Sequence, residues 1–97
     1  MRDLDWFKKN IAPYLVDYEI QYSFFNKGDF GSLSSITFES YKKGGYIHFW
    51  GSGWLGVDVV DYETGEEILN VLLEEHSAKE QDELLEKLKK ILLLDME

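Results

Sequence analysis

The chain contains no cysteine, and this absence excludes several kinds of chemistry together. Disulfides, cysteine-based zinc sites and thiol catalysis all need that side chain. Histidine is scarce as well: His48 and His76 are the only two, and they fall in separate predicted elements. A histidine-based metal site would therefore have to recruit carboxylates from distant strands. We expect no metal ion and no cofactor, and a fold stabilised by packing alone.

Basic residues are few, since 10 Lys and Arg stand against 19 Asp and Glu, for a formal net charge of −9. A phosphate backbone would be repelled by this charge, so direct nucleic-acid binding is not expected. Long apolar runs are also lacking, and the longest aliphatic one is residues 91–94. Residues 1–5 carry acids where a secretion signal needs bases followed by apolar residues. These features predict a cytoplasmic protein without membrane contact.

Apolar and aromatic side chains are plentiful, with 44% hydrophobic residues that include 3 Trp, 6 Tyr and 6 Phe. This composition supplies enough material for a packed core and argues against disorder. A chain of 97 residues is too short to divide into two cores. We therefore predict a single domain over residues 1–97.

The hydrophobic period changes along the chain from helical to strand-like and back. Asp3 can cap an opening helix in which Leu4, Phe7 and Ile11 share one face, and Pro13 ends or kinks it. Alternation of apolar and polar residues then predicts strands at residues 18–24, 33–40, 46–50, 55–62 and 67–73. Turn residues separate them at 26–29, 42–45, 51–53 and 63–66.

A closing helix is predicted from a capping box, with Ser77 as N-cap and Glu80 at N3. Its apolar stripe comprises Leu84, Leu85, Leu88, Ile91 and Leu92. The order helix, five short strands, helix predicts an α+β fold: a five-stranded antiparallel meander sheet with an N-terminal and a C-terminal helix packed on one face.

The opposite face of such a sheet is at least partly open to solvent. Not all of the aromatic residues can be assigned to the covered side. The five in question are Tyr18, Tyr22, Tyr46, Trp50 and Trp54. In the fifth strand, apolar residues fall on both faces, which indicates either a central strand or one partly covered by a helix.

Three short motifs suggest chemistry, but their surroundings do not fit it. Residues 51–56 spell G-x-G-x-x-G, yet a strand pattern follows where dinucleotide binding needs a helix, so a turn or bulge is expected. Residues 61–66 resemble a calcium loop whose glycine comes one position early, and a hairpin with solvated acids is expected. Ser52 lacks the G-x-S-x-G elbow of a nucleophilic serine, and a pair such as Ser52 with His48 occurs by chance in a short chain. We predict no catalytic residue and no enzyme activity.

The negative charge is concentrated in the second half of the chain. Residues 1–50 hold six acids and six bases, whereas residues 51–97 hold thirteen acids and four bases. Solubility is the simplest explanation of this excess. The alternative is a docking surface for a basic protein. The partner-binding residues would then be five acids and two aromatic anchors: Asp58, Asp61, Glu63, Glu66, Glu67, Trp54 and Tyr62. For each aromatic, a place in the core is the competing interpretation.

Residues 36–40, 45–53 and 57–69 resemble the small immunity proteins of bacterial polymorphic and contact-dependent toxin systems, most closely the TriTu-type family. In that pattern a strand ends in a Trp-x-Ser-Gly turn, and an acidic strand, a Thr-Gly hairpin and a helix follow. Residues 50–53, 64–66 and 77–94 fit the turn, the hairpin and the helix. The resemblance implies a cytoplasmic protein that binds and neutralises a cognate toxin domain. The acidic tract adds the expectation of a basic toxin, such as a nuclease.

Two other classes of function stay open at this point. A small enzyme or ligand-binding domain would use carboxylates in a deep cleft, with raised pKa values. An oligomeric scaffold domain would show a concentration-dependent mass in solution. The oligomeric state does not follow from the sequence.

Overall fold

The computed structural model describes residues 2–26 and 31–93. Its elements are α1 (Leu4–Asn10), a 3-10 turn (Ala12–Tyr14), β1 (Glu19–Phe25), β2 (Leu33–Glu39), β3 (Lys43–Trp50), β4 (Leu55–Asp61), β5 (Glu67–Leu73) and α2 (Ala78–Leu93). The strands form one antiparallel sheet in the order β1-β2-β3-β4-β5. The predicted α+β meander between two helices is confirmed. The turn predicted at 26–29 falls largely within residues 27–30, outside the described residues.

Both helices pack on the same face of the sheet. The Asp3 carboxylate accepts a hydrogen bond from the Trp6 N–H at 3.0 Å and so begins α1. This helix buries Phe7, and Ile11 is buried directly after its end. The leucine stripe of α2 completes one core with side chains from β2 to β5, among them Ile36, Phe38, Ile47, Val57, Val59 and Leu69. The predicted stripe is confirmed, with Ile91 at its half-buried margin.

The start of α2 is tied to the turn between β3 and β4. The helix begins at Ala78, directly after Ser77, which is the predicted cap position. The buried Gln81 amide donates to the carbonyl oxygens of Gly53 at 2.9 Å and Glu74 at 2.8 Å. Because one amide satisfies two carbonyls from different segments, it holds the helix end against the sheet.

The turn predicted at residues 42–45 is wrong, because β3 already begins at Lys43. Ser40 makes the turn instead: its Oγ accepts from the N–H groups of Lys42 at 3.2 Å and Lys43 at 3.1 Å. Gly44 and Gly45 lie inside the strand, where they allow close approach of other groups. A Cβ at Gly44 would collide with the Tyr62 ring. A Cβ at Gly45 would collide with the backbone carbonyl of Asp58.

The fifth strand is an edge strand, so the central position considered for it is wrong. Leu69, Val71 and Leu73 face the core, as expected for a strand that is partly covered by a helix. Ile68 and Leu72 are exposed on the other side. The register between β4 and β5 shifts at Val59 and Val60, which marks a bulge at this edge.

Candidate functional site

The sheet face away from the helices, called the open face below, is organised in four cross-strand rows set by the register. The first row is mainly acidic and contains Glu19, Glu39, Gly44, Val60 and Glu67. The second is polar and contains Gln21, Thr37, Tyr46, Asp58 and Asn70. The third contains Ser23, Ser35, His48, Gly56 and Leu72. The fourth is apolar and contains Phe25, Leu33 and Trp50. The open face therefore runs from an acidic end to an apolar end.

Three rings from alternate positions of β3 form a ladder along the middle of the open face. Tyr46 and His48 stack with centroids 4.2 Å apart, and the Trp50 ring meets His48 edge-on at 5.3 Å. The Trp50 ring also lies over Gly56 of β4, because a Cβ there would approach its carbon atoms to 3.1 Å. Burial lowers the pKa of His48, so the neutral imidazole is favoured within the ladder.

Tyr62 follows β4 and lies across the acidic end of the open face. Its ring covers Gly44, and its hydroxyl donates to Oε1 of Glu39 at 3.3 Å. Burial raises the pKa of this phenol, and the neighbouring Glu39 raises it further. Beside the ring is a shallow depression of about 200 Å³, whose lining includes Glu19, Gln21 and Thr37. This depression is not the deep cleft that the enzyme alternative requires.

Carboxylates from four strands lie along the acidic end, which spans the width of the sheet. Glu19 of β1 lies directly opposite Glu39 of β2 in the register. Burial raises the pKa of Asp58 on β4, and the Glu67 charge on β5 adds to this effect. Burial also raises the pKa of Tyr46, with Asp58 and Glu67 as further causes. Asp58 and Glu67 therefore repel each other, and they disfavour further negative charge nearby.

The structure brings six of the seven predicted partner-binding residues to one end of the molecule. Asp58, Glu67 and Tyr62 lie at the acidic end of the open face, and Asp61, Glu63 and Glu66 lie at or in the adjoining β4–β5 hairpin. Trp54 precedes β4 at the opposite end and is half-buried.

Asp61 has a structural role within this hairpin. Its Oδ1 accepts from the N–H groups of Glu63 at 2.8 Å and Thr64 at 3.3 Å, and the residue lies opposite Lys43 in the register. Gly65 closes the turn with a φ of 74°, a value that favours glycine. The stretch that resembles a calcium loop is therefore an ordinary hairpin turn.

Sequence reasoning missed Glu19, Glu39, Tyr46, His48 and Trp50 as members of a site. The two glutamates lie in the half of the chain with no net charge, so the charge count concealed them. Only the strand register places them at the same end of the open face as Asp58 and Glu67, and alternation within each strand is the signal that could have found them.

The remaining acids of the acidic tract (residues 58–83) lie outside the strands. Five of them follow β5 or lie on α2, namely Glu74, Glu75, Glu80, Asp82 and Glu83. Arg2 pairs with Asp82 at 3.3 Å and with Glu86 at 3.0 Å, so part of the α2 charge is balanced by the N-terminal segment. The tract is thus divided between two sides of the molecule.

Other kinds of site find little support in the described part of the chain. Within residues 2–26 and 31–93, His, Asp and Glu side chains form no group of three or more that could hold a metal ion. No helix in these ranges has the length and apolarity to cross a membrane. The G-x-G-x-x-G stretch is a tight turn, with Gly53 at a φ of 99°, and leads into β4. It therefore lacks the helix that phosphate binding needs.

No curated protein and no solved structure matches the chain significantly. One family model does match, that described as immunity protein TriTu, over residues 4–92. This match runs from the first residue of α1 into the last turn of α2 and includes the whole sheet. The chain therefore belongs to the TriTu immunity protein family.

Proposed function

We propose that this protein acts in the cytoplasm, where it binds a cognate toxin domain and neutralises it through the acidic end of its open face. Membership of an immunity protein family supports the toxin as partner. The position of the acidic side chains on the open face supports this face as the contact surface. The toxin contact would include Asp58, Glu67 and Tyr62, with Glu19 and Glu39 beside them.

The observation that carries the proposal is the opposition of Glu19 and Glu39 on a face that the helices leave uncovered. Like charges directly opposite each other on neighbouring strands destabilise a sheet. Asp58 and Glu67, on β4 and β5, are a second pair of acids that repel each other on the same face. A cationic partner would convert this repulsion into attraction, so the arrangement costs stability in the free protein and favours the complex.

The charge also indicates the chemistry of the partner. The hairpin acids Asp61, Glu63 and Glu66 extend the negative field beyond the sheet, and such a field speeds the approach of a basic protein. A toxin that acts on nucleic acid needs a basic surface of its own. We therefore propose a basic toxin domain, for example a nuclease, whose active surface is occluded by the open face. Trp54 would contribute only if the contact reaches the far end of β4.

Co-expression in a bacterial host tests this proposal. The toxin domain is taken from the coding sequence directly upstream, and survival of the host reports neutralisation. The test variant replaces Glu19, Glu39 and Glu67 by glutamine, which keeps side-chain volume and leaves an acceptor for Tyr62. The matched control replaces Glu75, Glu80 and Glu83 by glutamine. Both variants lose three negative charges, but those of the control follow β5 or lie on α2.

The wild-type protein and the control variant should protect the host, and the open-face variant should protect it weakly. Equal protection by all three proteins would show that the open-face acids are not used. Equal loss in both variants would show that net charge matters and position does not. Thermal unfolding of each purified variant establishes that it is folded.

A further inference from the structure

The outer edge of β1 is unusually open to pairing. β1 (Glu19–Phe25) runs in unbroken register with β2 over its 7 residues and contains no proline, glycine or basic residue. Within the described residues, β2 is its only neighbour in the sheet. Natural edge strands usually carry a bulge, a lysine or a proline that prevents pairing with other chains. β5, the other edge, has such a bulge.

The side chains of β1 are exposed as well as its backbone. The exposed fractions are 44% for Tyr22, 63% for Phe24 and 51% for Phe25. Phe24 and Phe25 point to opposite sides of the sheet, so an added strand would cover apolar surface on both sides. An edge strand that pairs on one side only within the described residues, and that has exposed aromatics on both faces, is the feature used in recognition by strand addition.

We infer that an extended segment of the toxin domain pairs with β1 and becomes a sixth strand of the sheet. This inference depends on the proposed function for the identity of the partner. β1 borders the acidic end of the open face, since Glu19 belongs to it and Glu39 lies on the next strand. The segment therefore carries a lysine or arginine opposite Glu19 and apolar residues opposite Phe24 and Phe25.

A second copy of this chain fits the same edge poorly. Each copy has a net charge of −9, so two copies repel each other. Antiparallel pairing of two β1 strands about Tyr22 would also place Glu19 of each copy against Phe25 of the other. A basic and apolar segment avoids both penalties.

Amide hydrogen exchange of the wild-type protein, free and saturated with the toxin domain, tests the inference directly. The amides of β1 should exchange about tenfold more slowly in the complex, because strand pairing protects them. The amides of β5 serve as the internal comparison and should change little. Unchanged exchange in β1 of a saturated complex would overturn the inference and leave the proposed function intact. Absence of any binding would overturn both.

A pair of variants gives an independent test. Replacement of Phe24 and Phe25 by serine should raise the dissociation rate about tenfold without changing its salt dependence. The matched control replaces Tyr14 and Val16 by serine, which are 53% and 75% exposed near the helices. Equal weakening by both variants would overturn the inference. So would concentration-dependent protection of β1 together with a dimer mass in sedimentation, because the occupant would then be a second copy.

Discussion

Glu19 lies directly opposite Glu39 on the uncovered face of the sheet, and Glu39 also accepts a hydrogen bond from the Tyr62 hydroxyl. Two glutamates in this position repel each other across about 5 Å of strand spacing. The pair thus connects the stability of the free protein to the charge of its proposed partner.

Replacement of Glu19 by glutamine should stabilise the free protein. Relief of the like-charge pair is expected to raise the free energy of unfolding by about 0.2–1 kcal/mol, measured by urea denaturation at low salt. Salt at about 1 M should remove most of this gain, because it screens exposed charges. Glu83→Gln on α2 is the control and should change stability less. Destabilisation by Glu19→Gln would contradict the repulsion on which the site rests.

Alanine at Gly45 should be far more harmful than alanine at Gly44. A Cβ at Gly45 meets the Asp58 carbonyl, which the sheet holds in place, and we expect a loss of about 3 kcal/mol. A Cβ at Gly44 meets the Tyr62 ring, which can move, and about 1 kcal/mol is expected. In a Tyr62→Ala background the Gly44→Ala effect should nearly disappear. Persistence of that effect, measured by urea denaturation, would show that Tyr62 does not cover Gly44.

Protonation of Asp58 should stabilise the folded state at low pH. Burial and the Glu67 charge raise the pKa of Asp58 above 3.8, so the folded protein binds a proton more readily than the unfolded chain. Above the raised pKa the carboxylate destabilises the fold, and this cost falls as the pH drops through that pKa towards 3.8. Asp58→Asn should therefore be more stable than wild type at pH 7, with an advantage that shrinks at low pH. An equal advantage of Asp58→Asn at pH 7 and at low pH, measured by denaturant titration, would contradict the raised pKa of Asp58.

His48 should act in the opposite direction and at higher pH. Burial lowers its pKa below 6.5, so the unfolded chain takes up a proton first as the pH falls. Its contribution to stability is present above pH 6.5 and is lost progressively below it. His48→Gln should therefore flatten the change in unfolding free energy between about pH 7.5 and the lowered pKa. An unaltered slope would mean that the ladder does not disfavour the charged imidazole.

Much of the fold can be predicted from the hydrophobic periodicity of the sequence. The errors in this prediction have local causes. The Leu84 stripe predicted α2, and alternation predicted the strand at residues 55–62, in which Val57 and Val59 are buried. The start of β3 was misplaced because two adjacent glycines are typical of turns. Their actual role depends on Tyr62 and on the Asp58 carbonyl, groups from another strand that no local pattern includes.

The site was predictable only in part for a similar reason. Asp58 and Glu67, which the charge count singled out, lie on the same face of the sheet, but the same count included Glu80 and Glu83, which lie on α2. It also passed over Glu19, whose surroundings in the sequence are neutral. The strand register decides which charged residues of the sequence share a surface, and this register is set by tertiary packing.

The most direct test of the account is the salt dependence of toxin association. The association rate of the wild-type protein with the toxin domain should fall about tenfold or more between about 50 mM and 500 mM NaCl. Glutamine at Glu19, Glu39 and Glu67 should lower the rate at low salt and flatten its salt dependence, whereas glutamine at Glu75, Glu80 and Glu83 should have little effect. A wild-type rate that is insensitive to salt, or an equal response of the two variants, would contradict a toxin-binding role for the acidic open face.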